Sequence, residues 1–269
     1  MAFSLSKDIQ KGAQVKARKM ILYGPPKLGK STLAGSAKNA LMIPTEDRVG
    51  HIDCDKTPVI KHYSEMNDIF SSLMNETHRY KRVIFDTIDW LEPIIHQYLC
   101  EKNNWKSMTD DHNKETAFSK GLKYHAVAGW KSFLHNCDVL RDAGMDIILV
   151  SHAQTIKVNP PDGDEYDKYV MKIDKNSLSV VEEWADVIAF YNKEIFVNKT
   201  GNQLKSTGKA STTNVRKLHL AGESVAMISG NSFGLTDIDV DINACSDIME
   251  WILTGPYKEE KNTIKKEGK

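Results

Sequence analysis

Residues 19–32, Lys-Met-Ile-Leu-Tyr-Gly-Pro-Pro-Lys-Leu-Gly-Lys-Ser-Thr, constrain this chain more than any other stretch. An apolar strand, Met20 to Tyr23, runs into a loop bounded by Gly24 and Gly29, and a helix is expected from Ser31 to Lys38. The loop matches G-x-x-x-x-G-K-[ST] at every fixed position, in the strand–loop–helix context that gives the pattern its meaning. Glycine lets the backbone curl around a phosphate with no Cβ in the way. Pro25 and Pro26 carry no N–H, so they stiffen the first half of the loop and donate nothing. The donors must come from Lys27, Leu28, Gly29, Lys30, Ser31 and Thr32, an anion nest at a helix start. The pattern assigns Lys30 to the β- and γ-phosphates of a nucleotide such as ATP, and the Ser31 hydroxyl to Mg²⁺.

At 269 residues and 41% hydrophobic content, the chain can bury the core of one large α/β domain or two small ones. Lys+Arg and Asp+Glu balance at 36 each, so any nucleic-acid surface must be local. Cys54, Cys100, Cys137 and Cys245 are far apart and form no C-x-x-C pair, a pattern of reduced thiols. No apolar run reaches the roughly 18 residues of a membrane span, and the first residues lack a signal-peptide core. The expectation is a cytoplasmic protein without a membrane partner.

Strands and helices alternate through the first 150 residues. Ala40–Pro44 is a short buried strand ending in Thr45, Glu46 and Asp47. Residues 64–75 read as a helix with Met66, Ile69, Phe70 and Leu73 on one face. Arg82–Phe85 is the next strand and ends at Asp86, the acidic residue that behind a phosphate loop holds Mg²⁺ through water. Asp89 and Glu92 compete for that role but fall in the following helix, Asp89 to Lys102. Residues 103–120 look like a polar surface insertion. Gly121 to Asp142 is a long helix whose core face carries Leu122, Ala126, Trp130, Phe133, Cys137 and Leu140. His125 and His135 are placed on it without cysteine or carboxylate partners at metal-ligand spacing. Asp146–Val150 is a third apolar strand, ending in Ser151, His152 and Gln154. This alternation argues a mainly parallel central sheet flanked by helices. All strand C-termini then share one edge, where open parallel sheets bind ligands.

Residues 153–176 read as one long loop with an acidic middle, and Tyr166 and Tyr169 in it either stack on bases or pack on the domain. Ser177–Trp184 is a helix and Ala185–Tyr191 a fourth long apolar strand. From Ile195 to Gly222 there is no acidic residue, while Lys199, Lys205, Lys209, Arg216 and Lys217 supply five positive charges. This segment reads as a β-hairpin with a mobile basic tip, either a phosphate-backbone surface, a reach toward a neighbour's ATP, or a solvated hairpin. A strand, Val225 to Ile228, and a helix, Ser246 to Leu253, close the domain. Residues 1–18 form a basic arm, a solvated leader or one that docks on a neighbouring subunit through Phe3 or Leu5; 19–254 form the domain; 255–269 read as a charged, disordered tail.

Several of these stretches together resemble a family. They are Tyr23 to Ser31, Leu41-Met-Ile-Pro-Thr-Glu-Asp, Val83-Ile-Phe-Asp-Thr, Trp130-Lys-Ser-Phe-Leu with Leu140-Arg, Ile148-Leu-Val-Ser-His, Asn159-Pro-Pro-Asp-Gly-Asp-Glu-Tyr-Asp-Lys-Tyr and Glu183-Trp-Ala-Asp-Val-Ile. Over about residues 18–235 the chain resembles the RecA-like phage ATP-binding proteins of the Sak-four group, proposed single-strand annealing recombinases. That resemblance implies a RecA-like P-loop ATPase fold and Mg²⁺-dependent ATP hydrolysis. It also implies a homo-oligomer, single-stranded DNA as partner, a single-strand-binding protein as accessory, and the host-cell cytoplasm as location. It makes Glu46 the base that orients the attacking water and His152 the polar group that reads the γ-phosphate. One departure is Gly230-Asn231-Ser232-Phe233-Gly234-Leu235, with Ser232 where the family often carries arginine. Lys205, Lys209 or Arg216 are the candidates to supply the missing cation.

Two other readings compete with an ATPase. One is a nucleotide-gated binding or assembly module with little turnover. The other is a P-loop kinase, against which stands the scatter of only six arginines, Arg18, Arg48, Arg79, Arg82, Arg141 and Arg216, with no arginine-rich lid.

Overall fold

The structure is a computed structural model that describes Ile9, residues 16–200 and residues 207–255, with the backbone alone for 195–200 and 207–214. The basic leader apart from Ile9 and 16–18, Lys205 and the charged tail beyond Gly255 lie outside the described residues.

Four continuous apolar runs form the centre of the sheet. They are β1 (Lys19–Gly24), β2 (Ala40–Pro44), β4 (Arg82–Asp86) and the first half of β5 (Asp146–Val158), with the two-residue β3 (Asp55–Lys56) at the edge. β1 lies between β5 and β7 (Val187–Thr200), β4 between β5 and β2, and all of these pairings are parallel. The runs are apolar throughout because both faces are covered. Met20 and Leu22 point to a face closed by α1 (Lys30–Gly35) and α6 (Cys245–Thr254). Ile21 and Tyr23 point to the other, closed by α2 (Tyr63–Asn75), α3 (Ile88–Asn103), α4 (Val127–Asp142) and α5 (Lys175–Trp184). Trp130 is fully buried there and donates from Nε1 to Glu92 Oε1 at 3.0 Å, while Glu92 Oε2 accepts the Asp174 N–H at 2.9 Å. A buried carboxylate on α3 thus fixes the start of α5.

The sheet ends differently on its two sides. Beyond β7 it turns antiparallel, through β8 (Thr207–His219) and β10 (Ile238–Val240), with β9 (Gly230–Asn231) also on β7. The hairpin expected over 195–222 is therefore β7–β8, rooted in the sheet. At the N-terminal edge, Arg82 forms a bidentate pair with Glu250 at 3.0 Å and reaches Asp146 at 3.3 Å, and Arg141 pairs with Asp186 at 3.2 Å. Arg18, which its charge places in the leader, is buried: its guanidinium donates to the Ile252 and Gly255 carbonyls and lies 3.8 Å from the Phe233 ring centroid.

Four expectations are corrected. Residues 153–176 are not one loop. β5 runs on to Val158 and pairs antiparallel with β6 (Tyr166–Met171), leaving the Pro-Pro-Asp-Gly segment as the turn. The outer half of this ribbon is largely exposed and is held by strand-to-strand pairing, so it needs no apolar run. Tyr169 packs on the domain, stacked 5.1 Å from Phe190. Val225–Ile228 is not a strand: Val225 is exposed, and the segment is instead pinned by the Tyr23 hydroxyl, which donates to the Ile228 carbonyl at 2.7 Å and accepts its N–H at 2.9 Å. The helix expected over 121–142 opens with a π-helical stretch, Gly121–Ala126, before α4. His135 is exposed rather than on the core face, and His125 does meet a carboxylate, Glu115, at 3.4 Å.

Candidate active site

The phosphate loop owes its shape to close packing against the hairpin side of the sheet. A Cβ on Gly24 would lie 2.0 Å from the Tyr191 carbonyl oxygen, so only glycine fits where β1 ends. Lys27 (φ 63°) and Gly29 (φ 92°) both adopt left-handed backbone, and such turns aim successive N–H groups into one concavity. The Gly29 carbonyl then accepts the Leu33 N–H at 2.9 Å and α1 begins, leaving its first N–H groups without helical acceptors. Leu28 turns into the core and anchors the loop from below.

Four strand ends meet around this loop. A cavity of about 310 Å³ is lined by Pro26, Lys27, Gly29, Lys30, Ser31 and Thr32 from the loop, Glu46 and Arg48 from after β2, His51, Thr87 and His152. Thr45 ties two of these ends together: its hydroxyl donates to the Thr87 carbonyl at 2.7 Å and accepts the Thr87 N–H at 2.9 Å. Glu46 and Asp86 are thereby held on neighbouring strands.

The charges are placed against the grain of burial. Lys30 is 5% exposed and its Nζ donates to the Pro25 carbonyl at 2.8 Å. Burial pushes its pKa down to about 8, with Asp86, Asp89 and Glu46 opposing the fall. Asp86 is fully buried at the end of β4. Burial pushes its pKa up to about 6; the nearby Ser31 hydroxyl pulls the other way, then Glu46 raises it, and Lys30 and His152 lower it. Among the described residues, neither Asp86 carboxylate oxygen has a well-formed hydrogen bond. A buried carboxylate without partners is costly unless something else satisfies it. Beside a serine hydroxyl and a phosphate loop, that arrangement fits a hydrated divalent cation. Ser31 and Asp86 are the residues that would hold Mg²⁺.

His152 stands at the point where β5 leaves the core. Its Nδ1 lies 2.9 Å from Asp89 Oδ2, and its backbone N–H donates to Asp89 Oδ1 at 3.0 Å. Burial raises the Asp89 carboxyl, but these two bonds outweigh it and hold the group below its ordinary range. An ionised Asp89 fixes Nδ1 as the donating nitrogen, so the ring presents Nε2 as its second functional atom. Asp89 is thus the orienting partner of His152 rather than a competitor of Asp86. Nothing in its position on the sequence announces that pairing.

Of the expected site residues, the structure brings Pro26, Lys27, Gly29, Lys30, Ser31, Thr32, Glu46 and His152 to one cavity, while Asp86 is buried near Ser31 and outside the lining. Gly24, Pro25 and Leu28 shape the loop from outside. Gln154 is taken up by structure, donating to the Met171 and Ile173 carbonyls at 3.1 Å. Of the basic hairpin residues, Lys199 and Lys209 are placed by their backbone alone, and Lys217 is half-buried opposite Asp239. Arg216 rests beside Gly29. Arg48 and His51 escape a reading of the sequence, because short polar loops after a strand carry no pattern that would mark them.

A parallel α/β sheet with this loop, this lysine and this buried aspartate defines a P-loop nucleotide-binding domain. A family model described as an AAA domain matches residues 16–221, and the chain belongs to that family. A search of the curated proteins finds no match. No helix among the described residues is long and apolar enough to cross a membrane.

Proposed function

We propose that the chain is a Mg²⁺-dependent ATPase that acts, as a homo-oligomer, on single-stranded DNA in phage recombination or single-strand annealing. The observation that supports hydrolysis most is the buried Asp86 carboxylate without a matched donor among the described residues, next to a cavity that the buried Lys30, Glu46 and His152 line. In this reading the loop N–H groups and Lys30 bind the β- and γ-phosphates of ATP. Glu46 accepts a proton from the water that attacks the γ-phosphorus as the bond to the β-phosphate oxygen breaks, giving ADP and phosphate. His152, oriented by Asp89, presents Nε2 on the γ-phosphate side of the cavity. Mg²⁺, when bound, neutralises charge developing across the two phosphates. DNA binding is supported by the acid-free segment 195–222 on the β7–β8 hairpin and by the resemblance to annealing recombinases. A single-strand-binding protein is the expected accessory.

The test is ATP hydrolysis by the purified chain with and without single-stranded DNA, beside Lys30→Ala and Glu46→Gln. The reading expects turnover stimulated by DNA, no turnover in Lys30→Ala, and a loss of about 10²–10⁴-fold in Glu46→Gln with ATP still bound. Turnover in Glu46→Gln equal to wild type would leave a nucleotide-gated switch in place of an ATPase. Label passing from the γ-phosphate to an acceptor other than water would make it a kinase.

A further inference from the structure

The phosphate loop has two flanks. On one side β5 and β4 bring His152 and Asp86 to it; on the other lie β7 and β8. Both fixed glycines of the loop face this second side. Gly24 lies against the Tyr191 carbonyl of β7, and a Cβ on Gly29 would come within 3.3 Å of Arg216 Nη1 from β8. Arg216 is half-buried at the hairpin's root, in register with Val240 on one side and Lys193 on the other. Its guanidinium lies near the hydroxyl of Tyr191, a fully buried residue, and near the Cys245 thiol. Neutral partners therefore steer a permanent cation against the glycine that precedes Lys30.

We propose that Arg216 is a nucleotide ligand supplied by the same chain, contacting the α- and β-phosphates from the flank of the loop opposite Asp86 and His152. The inference rests on the nucleotide-site reading above. A guanidinium is well suited to this contact, because it is always charged and presents several N–H donors in a fixed plane to phosphate oxygens. The α- and β-phosphates are the natural partners because the γ-phosphate end is already served by Lys30, Glu46 and His152. The hairpin is then tied to the nucleotide at its root, whatever its outer part binds.

Titration calorimetry with Mg²⁺–ADP and Mg²⁺–ATP on the full chain tests this, using Arg216→Ala, Arg216→Gln and Arg216→Lys beside Lys30→Ala. Loss of a charge-assisted contact predicts about tenfold weaker binding of both nucleotides in Arg216→Ala and Arg216→Gln, with part of it recovered in Arg216→Lys. Hydrogen exchange of the wild-type chain gives a second measurement that needs no variant to fold: ADP should protect residues 215–219 together with 24–32. Binding within about twofold of wild type in Arg216→Ala, while Lys30→Ala loses it, overturns the role of Arg216 and leaves the phosphate loop intact. A loss confined to ATP overturns the assignment to the α- and β-phosphates, as does ADP protection of 24–32 alone. A wild-type chain that binds neither nucleotide refutes the nucleotide site itself.

Discussion

The two ends of the same parallel strands treat charge in opposite ways. At the N-terminal edge, Arg82 is held by Glu250 and Asp146, Arg141 by Asp186, and Arg18 by two backbone carbonyls and an aromatic face. At the C-terminal edge, Lys30 and Asp86 are as deeply buried, yet among the described residues the ammonium bonds only to the Pro25 carbonyl and the carboxylate oxygens are left unmatched. Sequence alone would give both ends a similar inventory of Arg, Lys, Asp and Glu. The difference lies in partnering, and it separates charges that hold the fold from charges kept for a ligand. Proteins tolerate local inconsistency of this kind at functional sites.

Substitutions at the two edges should therefore move stability in opposite directions. The largest effect expected is at Arg82. Arg82→Ala leaves Asp146, whose pKa burial already raises, and Glu250 without their cation. A loss of about 3 kcal/mol is expected in urea denaturation at pH 7. A loss below about 1 kcal/mol would mean that the N-terminal edge is no better paired than the other.

Asp86→Asn should do the reverse and stabilise the chain while abolishing turnover. Its folded pKa of about 6 lies above the ordinary 3.8, so the folded state binds the proton more tightly than the unfolded one. Wild-type stability should then fall as pH rises from about 4 to about 6, by up to about 3 kcal/mol for this group, and stay level above. The gain in Asp86→Asn should be full at pH 7 and vanish below pH 4, apart from the smaller cost of burying an amide. Denaturation of both proteins across that range measures it. A destabilised Asp86→Asn at pH 7 would show that the carboxylate is a structural charge after all.

Legibility in the sequence follows the same division between what the core dictates and what it leaves free. The four parallel strands are readable because burial on both faces demands continuous apolar runs, and Asp86, Glu46 and His152 stand out as polar residues directly after such runs. The β5–β6 ribbon is not. Thr155, Ile156 and Lys157 are exposed and need no pattern, and the Pro-Pro-Asp-Gly turn looks like part of a loop because no apolar strand flanks it. Asp89 and Arg216 are visible only as residues. Their partners lie 63 positions away at His152 and across the sheet at Gly29, and helix or strand periodicity cannot pair elements so distant. Val225–Ile228 misleads for a related reason. A short apolar run there is held by a single backbone bridge to Tyr169 and one tyrosine hydroxyl rather than by a ladder.

That hydroxyl offers a smaller test, at the boundary between the core and its attachments. Tyr23 sits at the end of β1 and bonds both backbone groups of Ile228. Tyr23→Phe keeps the buried ring and its contact with Phe190 but leaves the Ile228 carbonyl without its donor, while the Ile228 N–H keeps the Tyr169 carbonyl at 3.2 Å. A loss of about 1–2 kcal/mol is expected, with faster hydrogen exchange confined to residues 226–230. Global acceleration of exchange would mean that this segment is part of the cooperative core.

The smallest effect belongs to the ribbon. Lys157 pairs with Glu165 at 3.2 Å across the β5–β6 hairpin, and both side chains are more than half exposed. An ion pair in that setting contributes little, because water screens it and two long side chains lose freedom to form it. Lys157→Ala should change stability by no more than about 0.5 kcal/mol and leave the basal ATP turnover of the proposed reading unchanged. The contrast between the two edges makes this near-silence informative. The ribbon leaves the sheet directly after His152, so it is easy to mistake for part of the site. If Lys157→Ala lowered turnover without lowering stability, the site would extend beyond the cavity into the ribbon. The separation between satisfied and unsatisfied charge would then no longer mark where function begins.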